Sequence, residues 1–259
     1  MTPTLSEIEI LAQQAGAILR AHYGRTLHIT HKSTLIDLVT EVDQASEKFI
    51  LDQLRQRYPD HQLIAEESGK HGNNQAQSWY IDPLDGTVNY AHGIPIFCVS
   101  MAYAENGQVK MGVVYDPMRE ECFSAERGKG AWLNGSPLHT AQAPDLTHSL
   151  LVTGFPYNVA SIQENNLNHY ARFAVLSQGV RRLGSAAIDL CYIAAGRLDG
   201  FWELYLNPWD VAAGGLIAEE AGALVTDVGG GPDYLAGVPS ILAANPTLHG
   251  QMLTVLRGQ

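Results

Sequence analysis

Cysteine is scarce in this chain: Cys98, Cys122 and Cys191 are the only three among 259 residues. They are odd in number, far apart and set in apolar surroundings such as "IFCVSM" and "DLCYIAAG". Neither a zinc site nor a disulfide framework is therefore expected, and all three read as buried reduced thiols. Basic residues are also few, 16 Lys and Arg against 27 Asp and Glu, and apart from Arg181 and Arg182 they are scattered. The formal charge of -11 repels polyanions, which predicts neither nucleic acid nor an anionic membrane as a partner. No apolar run approaches the ~18 residues that span a bilayer. The opening "MTPTLSEIEILAQQAG" carries acids where a signal peptide needs basic residues followed by an apolar run, so a cytoplasmic protein is expected. Also missing are a P-loop, a G-x-G-x-x-G after a strand, a G-x-S-x-G elbow, internal repeats and low-complexity tracts.

What remains is a globular composition, 46% apolar and 17% charged, in a chain long enough for one large domain or two fused subdomains. The capping box Thr4-Leu5-Ser6-Glu7 predicts a helix running to about Tyr23, with Gly24 as its stop. A second helix is predicted from about Asp43 to Tyr58, ended by Pro59. "QLIAEE", "SWYID", "IFCVSMAYA", "QVKMGVVYD" and "ECFSAE" then read as strands. Asn106-Gly107 supplies a two-residue hairpin between the third and fourth. Residues 1–146 are thus expected to be helices packed on an antiparallel sheet. Over 147–259 strands and helices alternate, which predicts a mainly parallel sheet covered by helices. The fold class expected is α/β, with an α+β character in the N-terminal half.

Four segments break apolar runs with acids or amides where a strand should end: "LIDLVTEVD" (35–43), "LIAEES" (63–68), "YIDPLDGTVN" (80–89) and "LNPWDVAAG" (206–214). One buried carboxylate is costly unless paired, and several gathered together call for a cation. Carboxylates, a backbone carbonyl and water, without Cys or an ordered His pair, suit Mg²⁺, with Mn²⁺ as a substitute, and not zinc. Such a cation would also offset the acidic surface for an anionic substrate. In "DPLDGT" Pro83 fixes the turn from which Asp82 and Asp85 point the same way. The amides of Gly86 and Thr87 would open a helix suited to a phosphate. Plainer readings stand beside these: D-P-x-D-G is ordinary turn chemistry, Asp43, Thr87 and Asp210 are good helix caps, and Glu203 suits a strand end. His28, His31 and His92 are expected to be exposed or structural, and Trp209 to pack beside Asp210.

"DPLDGTVNY" followed by "HGIP", with "AEES" upstream and "WDVAAG" downstream, resembles the inositol monophosphatase family of Mg²⁺-dependent, lithium-inhibited sugar phosphatases. "DLVTEVD", "GVVYDP", "RGKGAWLNG", "GFPY", "RRLGSAAIDLCYIAAGRLDGFWE" and "AANP" carry the resemblance nearly end to end. One departure is Ala65, where glycine is common before the paired glutamates. The resemblance implies a layered αβαβα sandwich, commonly dimeric. It implies that Glu66, Asp82 and the carbonyl of Leu84 hold a first Mg²⁺, and that Asp82, Asp85 and Asp210 hold a second. A third, weaker ion would sit near Glu66. Thr87 with Asp43 would orient and deprotonate the attacking water, Glu66 would join them in the catalytic set, and the Gly86 and Thr87 amides would hold phosphate. Gly184, Ser185, Ala186 and Glu203 would contact the polyol, with Asp85 and Asp210 near its hydroxyls or leaving oxygen. Lys32 would lie on a loop closing over the site.

The expected function is direct hydrolysis of a small polyol phosphate, myo-inositol 1-phosphate first. Histidinol phosphate, fructose 1,6-bisphosphate and 3'-phosphoadenosine 5'-phosphate are the competing substrates. A metal-binding regulatory or scaffold protein is the reading from another class.

Overall fold

The structure, a computed structural model, describes residues 2–25, 29–31 and 38–258. Lys32, His28 and the side chain of His31 lie outside the described residues. Helix α1 (Leu5–His22) starts at the predicted capping box, with Thr4 and Glu7 bonded reciprocally. A short antiparallel pair, β1 (Ile29–His31) and β2 (Leu38–Thr40), leads into α2 (Glu41–Arg57). That helix begins earlier than Asp43 because Thr40, not Asp43, is its cap, and Asp43 completes the capping box from the third helical position.

The first sheet is built from β3 (Gln62–Ala65), β4 (Gly69–His71), β5 (Gln77–Asp85), β6 (Cys98–Glu105), β7 (Gln108–Asp116), β8 (Glu121–Glu126), β9 (Gly130–Leu133) and β10 (Ser136–Pro137). Its order is β10-β9-β8-β7-β6-β5-β3-β4, antiparallel throughout except between β3 and β5. Asn106 and Gly107 both take positive φ in the predicted hairpin. A five-residue helix, α3 (Thr87–Ala91), follows β5 directly.

The second half contributes β11 (Leu150–Thr153), α4 (Leu167–Leu176), β12 (Gly179–Arg181), α5 (Ala186–Ala194), β13 (Gly200–Glu203), α6 (Pro208–Glu220), β14 (Leu224–Thr226), β15 (Ile241–Ala244) and α7 (Pro246–Leu256). Its sheet, ordered β12-β11-β13-β15-β14, is mixed and not mainly parallel as expected. β11 pairs in parallel with β12 and β13, whereas β15 runs antiparallel to both β13 and β14. The reason is connectivity: α6 carries the chain over so that β14 runs in the direction of β13. The helix-free return from β14 then puts β15 between them, pointing the other way.

Alternation along the strands divides the interior into layers. In β6, Val99, Met101 and Tyr103 face α1 and α2, while Cys98, Ala102 and Ala104 face α5 and α6. In the second sheet Val152 and Phe201 join the other side of α5 and α6, and Leu151 and Trp202 join α4 and α7. The sequence of layers is α1/α2, first sheet, α5/α6, second sheet, α4/α7, the expected αβαβα sandwich. Small residues let the middle layer sit close: a Cβ on Gly112 of β7 would fall 2.8 Å from the carbonyl oxygen of Ala213 in α6.

Candidate active site

Two helices present an aspartate by the same local device. Asp43 is the third residue of α2, and its Oδ2 accepts from the backbone N–H of Thr40 (2.9 Å) and from Thr40 Oγ1 (2.5 Å). Asp210 is the third residue of α6, after Asn207 and Pro208, and its Oδ2 accepts from the backbone N–H of Asn207 (2.6 Å). Neither aspartate is itself the cap, as the plainer reading held. The helix start instead anchors one carboxylate oxygen and leaves the other to be used elsewhere. For Asp43 that use is visible: its Oδ1 accepts from Thr87 Oγ1 at 3.0 Å.

Strand β5 ends in a bulge. Asp82 pairs with Ser100 and Asp85 with Cys98, so one extra residue is squeezed into β5 around Pro83. A proline is tolerated there because the ladder is already broken, and the bulge bends the strand so that its acids turn toward the sheet's end. Ser46 Oγ donates to the Pro83 carbonyl (3.0 Å), and the Leu84 N–H donates to Asp82 Oδ1 (3.0 Å). Gly86 then takes φ +100°, and a Cβ there would lie 2.9 Å from the Ile96 carbonyl oxygen. Only glycine meets both demands. Thr87 Oγ1 also lies 3.0 Å from the Leu84 carbonyl oxygen, which ties the first turn of α3 back to the bulge.

The second half closes on this turn through Asp85. Its Oδ2 accepts from Ser185 Oγ (2.7 Å) and from the Ala187 N–H (2.8 Å) at the start of α5. Gly184, at φ +88°, allows the chain to pass against Asn89, whose Nδ2 donates to the Leu183 carbonyl at 2.7 Å.

These segments enclose a cleft of about 130 Å³. Glu66, Asp82, Leu84, Asp85, Gly86, Thr87, Gly184, Ser185, Ala186, Glu203 and Asp210, all singled out in the sequence, line it. Asp43 does not line the cleft but reaches it through Thr87. Asp189 and Arg182 line it as well, and sequence reasoning passed over both. The signal for Asp189 was present: it is the single charged residue in the otherwise apolar stretch "AAIDLCYIA". Trp209, beside Asp210, is half-buried, and its backbone carbonyl accepts from Ser100 Oγ at 3.2 Å.

Burial and crowding dominate the electrostatics. Desolvation, then the negative charges of Glu66, Asp85 and Asp210, hold the Asp82 carboxyl well above the usual range. Asp210 is raised well above it too, by desolvation and then by Asp85 and Glu66. Asp85 is pushed up to about 6 by desolvation, against the bonds from Ser185 and Ala187 that lower it. Asp43 also reaches about 6, by desolvation opposed by its bonds to Thr40. Glu203 reaches about 8 by desolvation and the charge of Asp85.

Such a set of acids fits a hard divalent cation, because a bound positive charge relieves both the desolvation and the mutual repulsion. Among the described residues no trio of His, Cys, Asp or Glu already stands at the spacing of a closed cage. Glu66, Asp82, Asp85 and Asp210 are gathered around one cleft from three remote segments.

Glu203 gives a test in the metal-free protein. Its carboxyl titrates near 4.5 when unperturbed and at about 8 when folded, so the folded state keeps a proton that the unfolded chain releases. Glu203 therefore subtracts stability progressively as pH rises from 4.5 to 8, and no further above that. Glu203→Gln is expected to flatten this part of the stability–pH curve in EDTA, measured by urea unfolding at each pH. Parallel curves for the two proteins would remove Glu203 from the account.

Among the described residues the three cysteines are free and buried, and no helix is long and apolar enough to cross a membrane. The comparisons agree with the architecture. A curated relative from Salmonella typhimurium, "Nus factor SuhB", is 42% identical over 262 residues, covering 100% of this chain and 97% of its own. An "Inositol-1-monophosphatase" from Synechocystis is 44% identical over 244 residues, 93% of this chain and 84% of its own. The solved structure of an inositol monophosphatase from Anabaena superposes with a TM-score of 0.89 at 41% identity, covering 98% of this chain and 95% of that one. The family model for "Inositol monophosphatase family" matches residues 2–258, and the chain belongs to that family.

Proposed function

We propose that the protein is a Mg²⁺-dependent phosphomonoesterase that hydrolyses a small polyol phosphate, myo-inositol 1-phosphate first, by direct attack of water. The observation that carries this reading is the convergence of Glu66, Asp82, Asp85 and Asp210 on one cleft beside the Thr87–Asp43 hydrogen bond. Glu66, Asp82, Asp85, Asp210 and the Leu84 carbonyl hold the cations. When bound, Mg²⁺ supplies the Lewis acidity and positive charge that phosphoryl transfer needs. The chain's own residues do the rest. Thr87 Oγ1, fixed by Asp43, aims the attacking water and takes its proton as its own passes to Asp43 Oδ1. The backbone amides of Gly86 and Thr87 bind the phosphate oxygens, and Gly184, Ser185, Ala186 and Glu203 receive the polyol. Residues 1–146 thus supply most of the cation ligands, and residues 147–259 supply Asp210 and the polyol contacts. A cytoplasmic homodimer is the working form.

The test is phosphate release with Mg²⁺ from myo-inositol 1-phosphate, histidinol phosphate, fructose 1,6-bisphosphate and 3'-phosphoadenosine 5'-phosphate. The inositol ester is expected to give the highest kcat/KM, and EDTA to abolish turnover of all four. Activity that persists in EDTA would end the metal assignment.

A relative named Nus factor at 42% identity over the whole chain favours a second reading. In it the protein acts through contacts with other macromolecules and not by turnover. The net charge of -11 directs such contacts to protein surfaces and away from a phosphate backbone. Absence of phosphate release from every ester in the panel would favour it.

A further inference from the structure

Asp189 has no part in the reading above, yet it stands in the same cleft. It belongs to α5, whose other buried residues are Ala, Ile, Leu and Cys, and it is 1% exposed. It lines the cleft, and its Oδ1 has no hydrogen-bond partner among the described residues. A buried polar atom without a partner is rare in a folded protein, and one that also lines a cleft is open to a group that binds there. Nearby charges tell the two sides of the cleft apart. Asp82 feels Glu66, Asp85 and Asp210, whereas Asp189 feels Glu203, Asp85 and Arg182. Asp85 is thus the boundary between a cation side and a second carboxyl pair, Asp189 with Glu203.

Burial first, then Glu203 and Asp85, hold the Asp189 carboxyl well above its usual range. A carboxyl group offers a carbonyl oxygen to accept and, when protonated, one O–H to donate. A hydroxyl complements that pair in both directions. An ammonium can only donate and an ionised phosphate oxygen can only accept, so each meets one half of the pair. We propose that Asp189 is a specificity-determining residue that hydrogen-bonds a hydroxyl on the leaving-group side of a polyol phosphate. The inference rests on the phosphatase reading. A site whose buried polar group stays unsatisfied unless a substrate hydroxyl arrives discriminates strongly against esters that lack one.

The experiment compares kcat/KM for myo-inositol 1-phosphate and for p-nitrophenyl phosphate, which carries no hydroxyl, in the wild type, Asp189→Leu and Asp189→Asn with Mg²⁺. Asp189→Leu is expected to lower the ratio of the two by roughly 10- to 100-fold, through the inositol ester alone. Its melting temperature should be unchanged or higher, because an unsatisfied polar group has been replaced by an apolar one of similar size. Asp189→Asn keeps a donor and an acceptor, so it should hold the wild-type ratio within about threefold. An unchanged ratio in Asp189→Leu, or an equal fall for both esters with a lower melting temperature, overturns the proposal in favour of a purely structural Asp189. Loss of the ratio in both variants overturns it in favour of recognition by charge. A wild type that hydrolyses neither ester refutes the phosphatase reading itself. One that hydrolyses only p-nitrophenyl phosphate refutes the polyol reading.

Discussion

Asp82→Asn is expected to cut Mg²⁺-supported phosphate release by roughly 10²- to 10³-fold while leaving the melting temperature unchanged or higher. The two effects have one cause. Asp82 is 2% exposed and faces the charges of Glu66, Asp85 and Asp210, so its carboxyl is a burden to the fold unless a cation shares it. The amide keeps the oxygen that accepts from the Leu84 N–H at 3.0 Å, so the bulge in β5 is retained. What disappears is the negative charge that two ions would share, and with it their affinity. Steady-state assays over a Mg²⁺ titration and calorimetry of the same samples check both halves. Melting that falls in step with activity would assign Asp82 to the scaffold.

Gly112→Ala carries the largest expected loss of stability, about 1–3 kcal/mol from overpacking, seen as a melting temperature lower by about 3–10 °C. Elsewhere on a strand this substitution would be mild or favourable. Here the added Cβ would stand 2.8 Å from the Ala213 carbonyl oxygen and 2.9 Å from its Cα, and backbone atoms cannot rotate away as a side-chain tip can. Relief requires β7 and α6 to part. Ala213 lies one turn beyond Asp210, so the displacement reaches the cleft. A higher Mg²⁺ concentration for half-maximal activity is therefore expected, at temperatures where the variant is still fully folded. Gly250→Ala is the control, because nothing lies within 4 Å of its added Cβ and alanine is the better helix former. Equal melting of Gly112→Ala and the wild type would contradict the close contact.

Local chemistry made much of the fold legible. The Thr4–Glu7 box and the Asn106-Gly107 hairpin each depend on near neighbours, and each appears where the pattern put it. The direction of β15 was not legible, because parallel or antiparallel pairing depends on which gap in the sheet a strand fills. Nor were the first residues of α2 and α6, since threonine, asparagine and aspartate compete for the capping role, and geometry chose Thr40 and Asn207. At the site, interrupted apolar runs pointed to the acids of 66, 82, 85 and 210. That Asp85 would be bonded to α5, and that Asp189 would share its cleft, depends on packing between segments about a hundred residues apart and leaves no trace in spacing.

The position of α6 between the two sheets also sets a timetable. The chain is made from its N-terminal end, so Glu66, Asp82 and Asp85 are synthesised well before Asp210. Joining residues this remote costs chain entropy that only the finished middle layer returns. The cleft therefore cannot be complete until α6 has been made and has docked against β7.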